Sequence, residues 1–253
     1  MNANLKGRLI GVGTGPGDPE LLTLKAVRAL TEADVVAHFA KEGNTSNARR
    51  IVDGHVRREA IELPLLYPVT TEIDRAHPDY HCAITTFFDR AAEDIAIHLD
   101  AGRTVAVLSE GDPLFYGSYM HLHVRLAHRF DTEVIPGVTA MSGCWSIAGT
   151  PITQGDDVLS VLPGTLPEGE LVRRLGDADA AVIMKVGRNL PKIRRALAAS
   201  GKLGRAVYVE RGTMQNGRTS LLAERDDAPA PYFSIVLVPG WQENVQAKAE
   251  AAE

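Results

Sequence analysis

The chain has 253 residues, 45% of them hydrophobic and 23% charged, a globular balance with length for one large domain or two moderate ones, of which two is the expectation. Its net charge of −5, with acidic and basic residues interleaved, gives no global field to attract nucleic acid or an anionic membrane, and no run approaches the roughly 20 apolar residues that cross a bilayer. The two cysteines, Cys82 and Cys144, lack any pairing or zinc-like spacing, so reduced, packed thiols are expected rather than a disulfide frame or structural zinc.

Met1 to Gly7 has no apolar core of the kind a signal peptide needs, and a cytoplasmic protein is expected. Arg8–Val12 reads as a first strand, followed by a glycine-rich loop and a helix around Pro19 to Thr31. Val35–Phe39 is a second strand. Ile84, Phe87, Phe88, Ala91, Ile95 and Leu99 recur at three- and four-residue steps, which makes Pro78–Leu99 a long helix with one buried face. Thr104–Ser109 and Thr132–Ile135 read as further strands. Beyond Pro136 the rhythm continues with strands at Val158–Leu162, Ala180–Lys185, Ala206–Glu210 and Phe233–Val238, and helical segments near Thr139–Ala148 and Asn189–Ala199. Apolar strands alternating with amphipathic helices predict two α/β domains, residues 1–136 and 137–253, divided at Pro136-Gly137. The stretch after Trp241 is poor in apolar residues and is expected to be frayed or loosely helical. No internal repeat or low-complexity linker is visible.

Gly11, Gly13, Gly15 and Gly17 follow the first strand and precede a helix, a context that suggests a nucleotide. The dinucleotide fingerprint needs glycines at relative positions one, three and six, but counting from Gly11 or Gly13 puts Pro16 or Asp18 at the sixth. Pro16 has no N–H to offer a phosphate, Asp18 would repel one, and no Gly-Lys-Ser/Thr follows. The expectation is therefore a backbone bare of side chains, close to which a bulky ligand approaches; a plain tight turn is the competing reading.

The strand Thr104–Ser109 runs into Glu110-Gly111-Asp112-Pro113 and then Leu114-Phe115-Tyr116-Gly117. In an open parallel sheet, ligands sit beyond the carboxyl ends of the strands, so this loop and the first glycine loop are expected side by side at a cofactor. Asp112 would accept hydrogen bonds from a ribose or an amine, and Phe115 and Tyr116 would give an adenine apolar cover. Taken with Gly13 to Thr23, Gly111 to Pro113, Pro136 to Ala140, Met184, Glu210-Arg211-Gly212-Thr213 and the closing strand before Pro239, the chain resembles the tetrapyrrole methylase family along almost its whole length. The segments Tyr116 to His123, Met141 to Trp145 and Met184 to Asn189 look like the branch that methylates the C20 meso carbon of precorrin-2, in the cobalt-free pathway rather than its cobalt counterpart. Glu110 departs from the glycine frequent at this position in the wider family.

The resemblance implies two α/β domains, a mainly parallel N-terminal sheet and a mixed C-terminal one, with the active-site cleft between them. It implies a homodimer that uses S-adenosylmethionine as methyl donor and no metal. Pro16, Gly111, Asp112, Phe115, Thr139, Ala140, Met184 and Gly212 would line the cofactor. A base must take the C20 proton; Glu110 is the candidate, with a structural carboxylate as the competing reading. Precorrin-2 carries eight carboxylates, so local cations are expected to meet it. Lys185, Arg188, Arg211 and Arg49, with Arg50 beside it, are the candidates, each weighed against an ordinary surface charge.

Other signals are discounted. His77 and His81 have a spacing that metals use, but no third ligand accompanies them, and a helix start is the alternative. His121 and His123 point about 200° apart on a helix and cannot chelate one ion, though one of them reaching substrate stays open. By residue type alone, Met184 and Trp145 read as core. A nicotinamide-dependent dehydrogenase is the rival enzyme; it is disfavoured by the failed fingerprint and by the position of Asp34, which precedes the second strand rather than ending it. A non-catalytic ligand-binding module is the rival of another class, and other tetrapyrrole methylases are rivals within the family.

Overall fold

The computed structural model describes residues 6–68 and 77–240. The stretch after Trp241 lies outside the described residues. The chain divides into two compact units, Met1–Ala140 and Met141–Glu253. Among the described residues, no helix is long and apolar enough to cross a membrane.

The first unit contains β1 (Arg8–Gly13), α1 (Leu24–Glu32), β2 (Val35–Lys41), α2 (Asn47–Ile51), β3 (Ile61–Tyr67), α3 (Pro78–Asp100), β4 (Val105–Ser109), α4 (Tyr119–Leu126) and β5 (Asp131–Ile135). Its sheet runs β3-β2-β4-β1-β5 with every pairing parallel. Helices cover both faces, which is why central β4 is apolar at nearly every position and wholly buried. Alternation sorts the side chains: Leu9, Val105 and Val107 join the α3 and α4 core, whereas Ile10, Ala106 and Leu108 join the α1 and α2 core. On α3, Phe88, Ala91, Ile95 and Leu99 are buried, and Ile84 and Phe87 pack partly against them. A truncation such as Leu99→Ala would cost about 2–5 kcal/mol.

Two details correct the sequence reading. The helix expected around Pro19 to Thr31 is broken into a 3-10 turn, Pro19–Leu21, and α1. Each piece has its own cap: the Asp18 carboxylate accepts from the Glu20 amide at 2.9 Å, and Thr23 Oγ1 accepts from the Ala26 amide at 3.1 Å. A capping residue takes extended dihedrals, as Thr23 does, so a second cap inside the segment interrupts the first turn. Cys82, expected to be packed, is exposed; Cys144 is buried. His77 is the N-cap of α3, its Nδ1 accepting from the Asp79 amide at 3.2 Å, which gives it the helix-start role.

The second unit begins within α5 (Ala140–Ile147) and continues through β6 (Leu159–Pro163), α6 (Glu168–Gly176), β7 (Ala180–Met184), α7 (Leu190–Ala199), β8 (Val207–Glu210), β9 (Arg218–Leu221) and β10 (Ser234–Val238). Its sheet order is β6-β7-β10-β8-β9, parallel between β6 and β7 and antiparallel elsewhere, hence mixed. Leu171 and Leu175 of α6 and Ile193 and Leu197 of α7 are fully buried against Ile183, Val236 and Val238. Each such leucine or isoleucine contributes about 1.5–3 kcal/mol by leaving water.

Candidate functional site

Because all strands of the first sheet are parallel, the loops after the adjacent strands β4, β1 and β5 leave from one edge. They are fastened to each other through backbone. The Gly111 amide donates to the Gly15 carbonyl at 2.8 Å and the Gly15 amide to the Gly111 carbonyl at 3.3 Å. The Thr14 amide and hydroxyl both donate to the Ser109 carbonyl, at 2.8 and 3.1 Å. Asp112 completes the knot, one oxygen accepting from the Leu114 amide at 2.9 Å and the other from the Gly137 amide at 3.1 Å. The carboxylate expected to meet a ribose or an amine thus first fixes its own loop to the one after β5.

Gly11 and Gly13, at the end of β1, have a different purpose from the one expected of the glycine run. A Cβ on Gly11 would stand 2.4 Å from the ring of buried Tyr119, and one on Gly13 would stand 2.4 Å from the Gly137 nitrogen. The space they leave is taken by the protein, not held open for a ligand. Gly111, in the loop after β4, differs: at φ 66° it needs glycine's freedom, and the nearest atoms a Cβ there would meet are the Ala140 nitrogen and Thr139 Cα, at 3.6 and 3.8 Å. Pro16 and Gly111 are buried, while Asp112, Phe115, Thr139 and Ala140 keep some exposure.

Glu110 follows β4 directly, at the bend after Ser109, and meets the start of α2. There the Asn47 side chain and the Ala48 amide hydrogen-bond it. Desolvation raises its carboxyl to a pKa of about 7, against the lowering effect of those two bonds. The residue is nonetheless exposed. For chemistry the accessible surface is the deciding measure, since a sealed carboxyl could not meet a reactant, and the solvent that reaches it limits the rise.

After the knot, Phe115 and Tyr116 meet edge to face with centroids 4.9 Å apart, and Tyr116 sits at φ 55°. Ser118 starts α4 without capping it, because its hydroxyl bonds the Tyr67 hydroxyl at the end of β3. His121 stacks on Phe88 at 4.1 Å, and burial, then Arg125, lowers its pKa; His123 lies 3.3 Å from the Tyr119 hydroxyl. The two imidazoles thus have separate partners.

In the second unit, β6, β7 and β8 run the same way, so their carboxyl ends share an edge, with β10 between β7 and β8. Half-buried Met184 ends β7, and its carbonyl accepts from the Gly164 amide at 2.6 Å. Lys185 and Arg188 follow, both exposed. At the end of β8, Arg211 pairs with Glu210 at 2.6 Å, and Glu210 also accepts from the Tyr208 hydroxyl at 3.0 Å. Gly212 is buried, and a Cβ there would stand 2.6 Å from Cys144 Sγ. Burial pushes that thiol up to about 12. Half-buried Trp145 follows it on α5.

Among the described residues the non-glycine positions at positive φ are Tyr116, Lys185, Arg211 and Thr213. Each lies in a loop leaving the carboxyl end of β4, β7 or β8. Such backbone costs on the order of 1–3 kcal/mol per residue and concentrates at functional loops. Neither their strain nor the Asn47 contact to Glu110 is legible from residue type. Of the other candidate cations, Arg49 bonds Glu62 at 2.8 Å and Asp53 at 3.4 Å, and Arg50 beside it is exposed. No group of three or more potential metal ligands converges among the described residues.

The family model described as Tetrapyrrole (Corrin/Porphyrin) Methylases matches residues 8–224. A precorrin-2 C(20)-methyltransferase of Sinorhizobium sp. is 70% identical over 94% of this chain and 97% of its own. A cobalt-precorrin-2 C(20)-methyltransferase of Salmonella typhimurium is 28% identical over 92% of this chain and 97% of its own. Among solved structures, uroporphyrin-III C-methyl transferase of Thermus thermophilus complexed with S-adenyl homocysteine has the same fold, with a TM-score of 0.64, 22% identity and coverage of 92% of each chain.

Proposed function

The chain belongs to the tetrapyrrole methylase family, and from that membership we propose that it methylates metal-free precorrin-2 at the C20 meso carbon with S-adenosylmethionine, giving precorrin-3A and S-adenosylhomocysteine in cobalamin biosynthesis. The observation that carries the reading is the high identity to the Sinorhizobium relative through nearly the full length of both chains. The relative whose name specifies cobalt is far more distant, which favours the metal-free substrate.

The first unit suits the donor. Gly111 turns at positive φ beside Thr139 and Ala140 with no side chain in the way, and the half-buried ring of Phe115 offers apolar cover. Pro16, Gly111, Asp112, Phe115, Thr139 and Ala140 are the proposed contacts there; Met184 and Gly212 rest on the family resemblance. Bound, S-adenosylmethionine supplies a sulfonium methyl that is already electrophilic. The chain's own task is to align it with the enamine-like C20, whose electron pair forms the new carbon–carbon bond, and to exclude water. Alignment of this kind supplies about 7–11 kcal/mol in favourable cases. Glu110 then takes the C20 proton, and a carboxyl poised near 7 suits a base at neutral pH. Lys185, Arg188 and Arg211 are the proposed partners of substrate carboxylates. We read the assembly as a cytoplasmic homodimer needing no metal, as the resemblance implies.

The test is incubation of purified protein with precorrin-2, with and without cobalt, and methyl-labelled S-adenosylmethionine, followed by NMR. Label at C20 of the metal-free product is expected. Label at another carbon would refute the position, and failure to bind S-adenosylmethionine would refute the methyltransferase reading.

A further inference from the structure

We infer that Asn47, the first residue of α2, is a positioning residue for Glu110, holding its carboxyl at the end of β4 in a single orientation. The inference rests on the reading of Glu110 as the acceptor of the C20 proton.

Three observations support it. The first is topological. On β2 and β4, Val36 stands beside Ala106, and buried Val36, Ala106 and Leu108 share one face of the sheet, with Glu110 two residues beyond Leu108. α2 packs on that same face through Ala48.

The second concerns α2 itself. With five residues it is far too short to persist alone, so something must fix it. Ser46 caps it, its hydroxyl accepting from the Arg49 amide at 3.3 Å. Arg49 ties it to β3, with Nε and Nη2 each 2.8 Å from Oε1 of Glu62, and the other Glu62 oxygen lies 3.4 Å from His38 Nε2. The anchorage holds α2 on the sheet face that carries Ala106 and Leu108.

The third is the contact. Glu110 takes hydrogen bonds from both the Asn47 side chain and the Ala48 amide, and donors to a carboxylate favour its charged form. The charged groups on the elements packed here are otherwise engaged or add nothing to its displacement. Arg49 turns to Glu62 and Asp53, His38 to Glu62, and Asp112 to two backbone amides. Arg50 on α2 and Lys41 at the end of β2 are exposed, and no charge is among the causes of Glu110's displacement. Desolvation against two hydrogen bonds therefore sets the ionisation of Glu110, and Asn47 is the side chain in that balance.

The experiment is the pH dependence of kcat/KM for precorrin-2 methylation by the wild type, Asn47→Ala, Asn47→Ser and Glu110→Gln, with the S-adenosylmethionine Kd measured for each. Losing one donor to a carboxylate is expected to move the acidic limb of Asn47→Ala upward by about one pH unit. Activity would then fall about fivefold at pH 7 and return at pH 9, with donor Kd unchanged. Asn47→Ser, which keeps a donor, is expected to bring the limb part of the way back. A limb that stays in place for Asn47→Ala, or a loss that high pH does not restore, would overturn the inference and leave α2 a structural element. Full activity in Glu110→Gln would instead overturn the reading of Glu110, whatever Asn47 does.

Discussion

A methyl group on Gly13 would stand 2.4 Å from the backbone nitrogen of Gly137, and one on Gly137 would stand 2.1 Å from the carbonyl oxygen of Gly111. Every atom met in these approaches is backbone, so no side chain can turn away to relieve them. Gly13→Ala is expected to destabilise the protein by roughly 3 kcal/mol or more and to abolish S-adenosylmethionine binding. Thermal unfolding and calorimetric titration check the two halves; an unchanged Tm would show that the loops are not locked together.

Gly212 and Cys144 allow a cleaner measurement, because the neighbour is a side chain that can be removed. Gly212→Ala alone should cost about 1–3 kcal/mol by overpacking against Sγ. Combined with Cys144→Ala, the penalty should shrink, with a favourable coupling of about 1 kcal/mol or more in a double-mutant cycle. Additive effects would mean that the added methyl group finds room elsewhere.

Glu110→Gln should reduce methyl transfer about a hundredfold or more while leaving donor affinity intact, as loss of a general base does. It should also change stability in a pH-dependent way. The folded carboxyl holds its proton to about pH 7, against an ordinary 4.5, so between these values the unfolded chain ionises more readily than the folded one. Wild-type stability therefore falls as pH rises from about 4.5 to 7, and Gln removes that fall. The variant's Tm should exceed the wild type's by on the order of 2 °C at pH 8, a modest gain because solvent reaches the carboxyl, and should show no advantage at pH 4.

Arg188 and Arg49 should separate substrate binding from architecture. Arg188 is exposed in the turn after β7, and Arg188→Ala should raise the KM for precorrin-2 about tenfold, the value of one charge-assisted contact, with Tm unchanged. Arg49 is bonded to Glu62 and Asp53, and Arg49→Ala should instead lower stability by about 1 kcal/mol. Steady-state kinetics and unfolding curves on both variants check this.

Much of the fold is legible in the residues alone, because central strands such as β4 and β7 are continuous apolar runs and α3 repeats its buried residues at helical spacing. The sheet edges are not. β3 has Pro64 in its middle, a residue that argues against a strand except at an edge, where its missing N–H faces no partner. β9, also at an edge, is Arg-Thr-Ser-Leu and has no apolar run to announce it. At the candidate site, Gly11 and Gly13 misled: a missing side chain is visible in a sequence, whereas what fills its space is not. Tyr119 fills it at Gly11 and Gly137 at Gly13. Left-handed Tyr116, Lys185, Arg211 and Thr213 were equally hidden, since packing rather than residue type holds them there.

The contrast between the two cysteines makes the native chain ready for site-specific labelling. A thiol held near 12 exposes on the order of one thiolate in 10⁵ at pH 7, and Cys144 is buried as well, whereas Cys82 is open on the first turns of α3. A maleimide dye should therefore attach once per chain, at Cys82, without engineering. The reporter would stand on the first turns of the long helix of the first unit, where fluorescence could follow ligand binding.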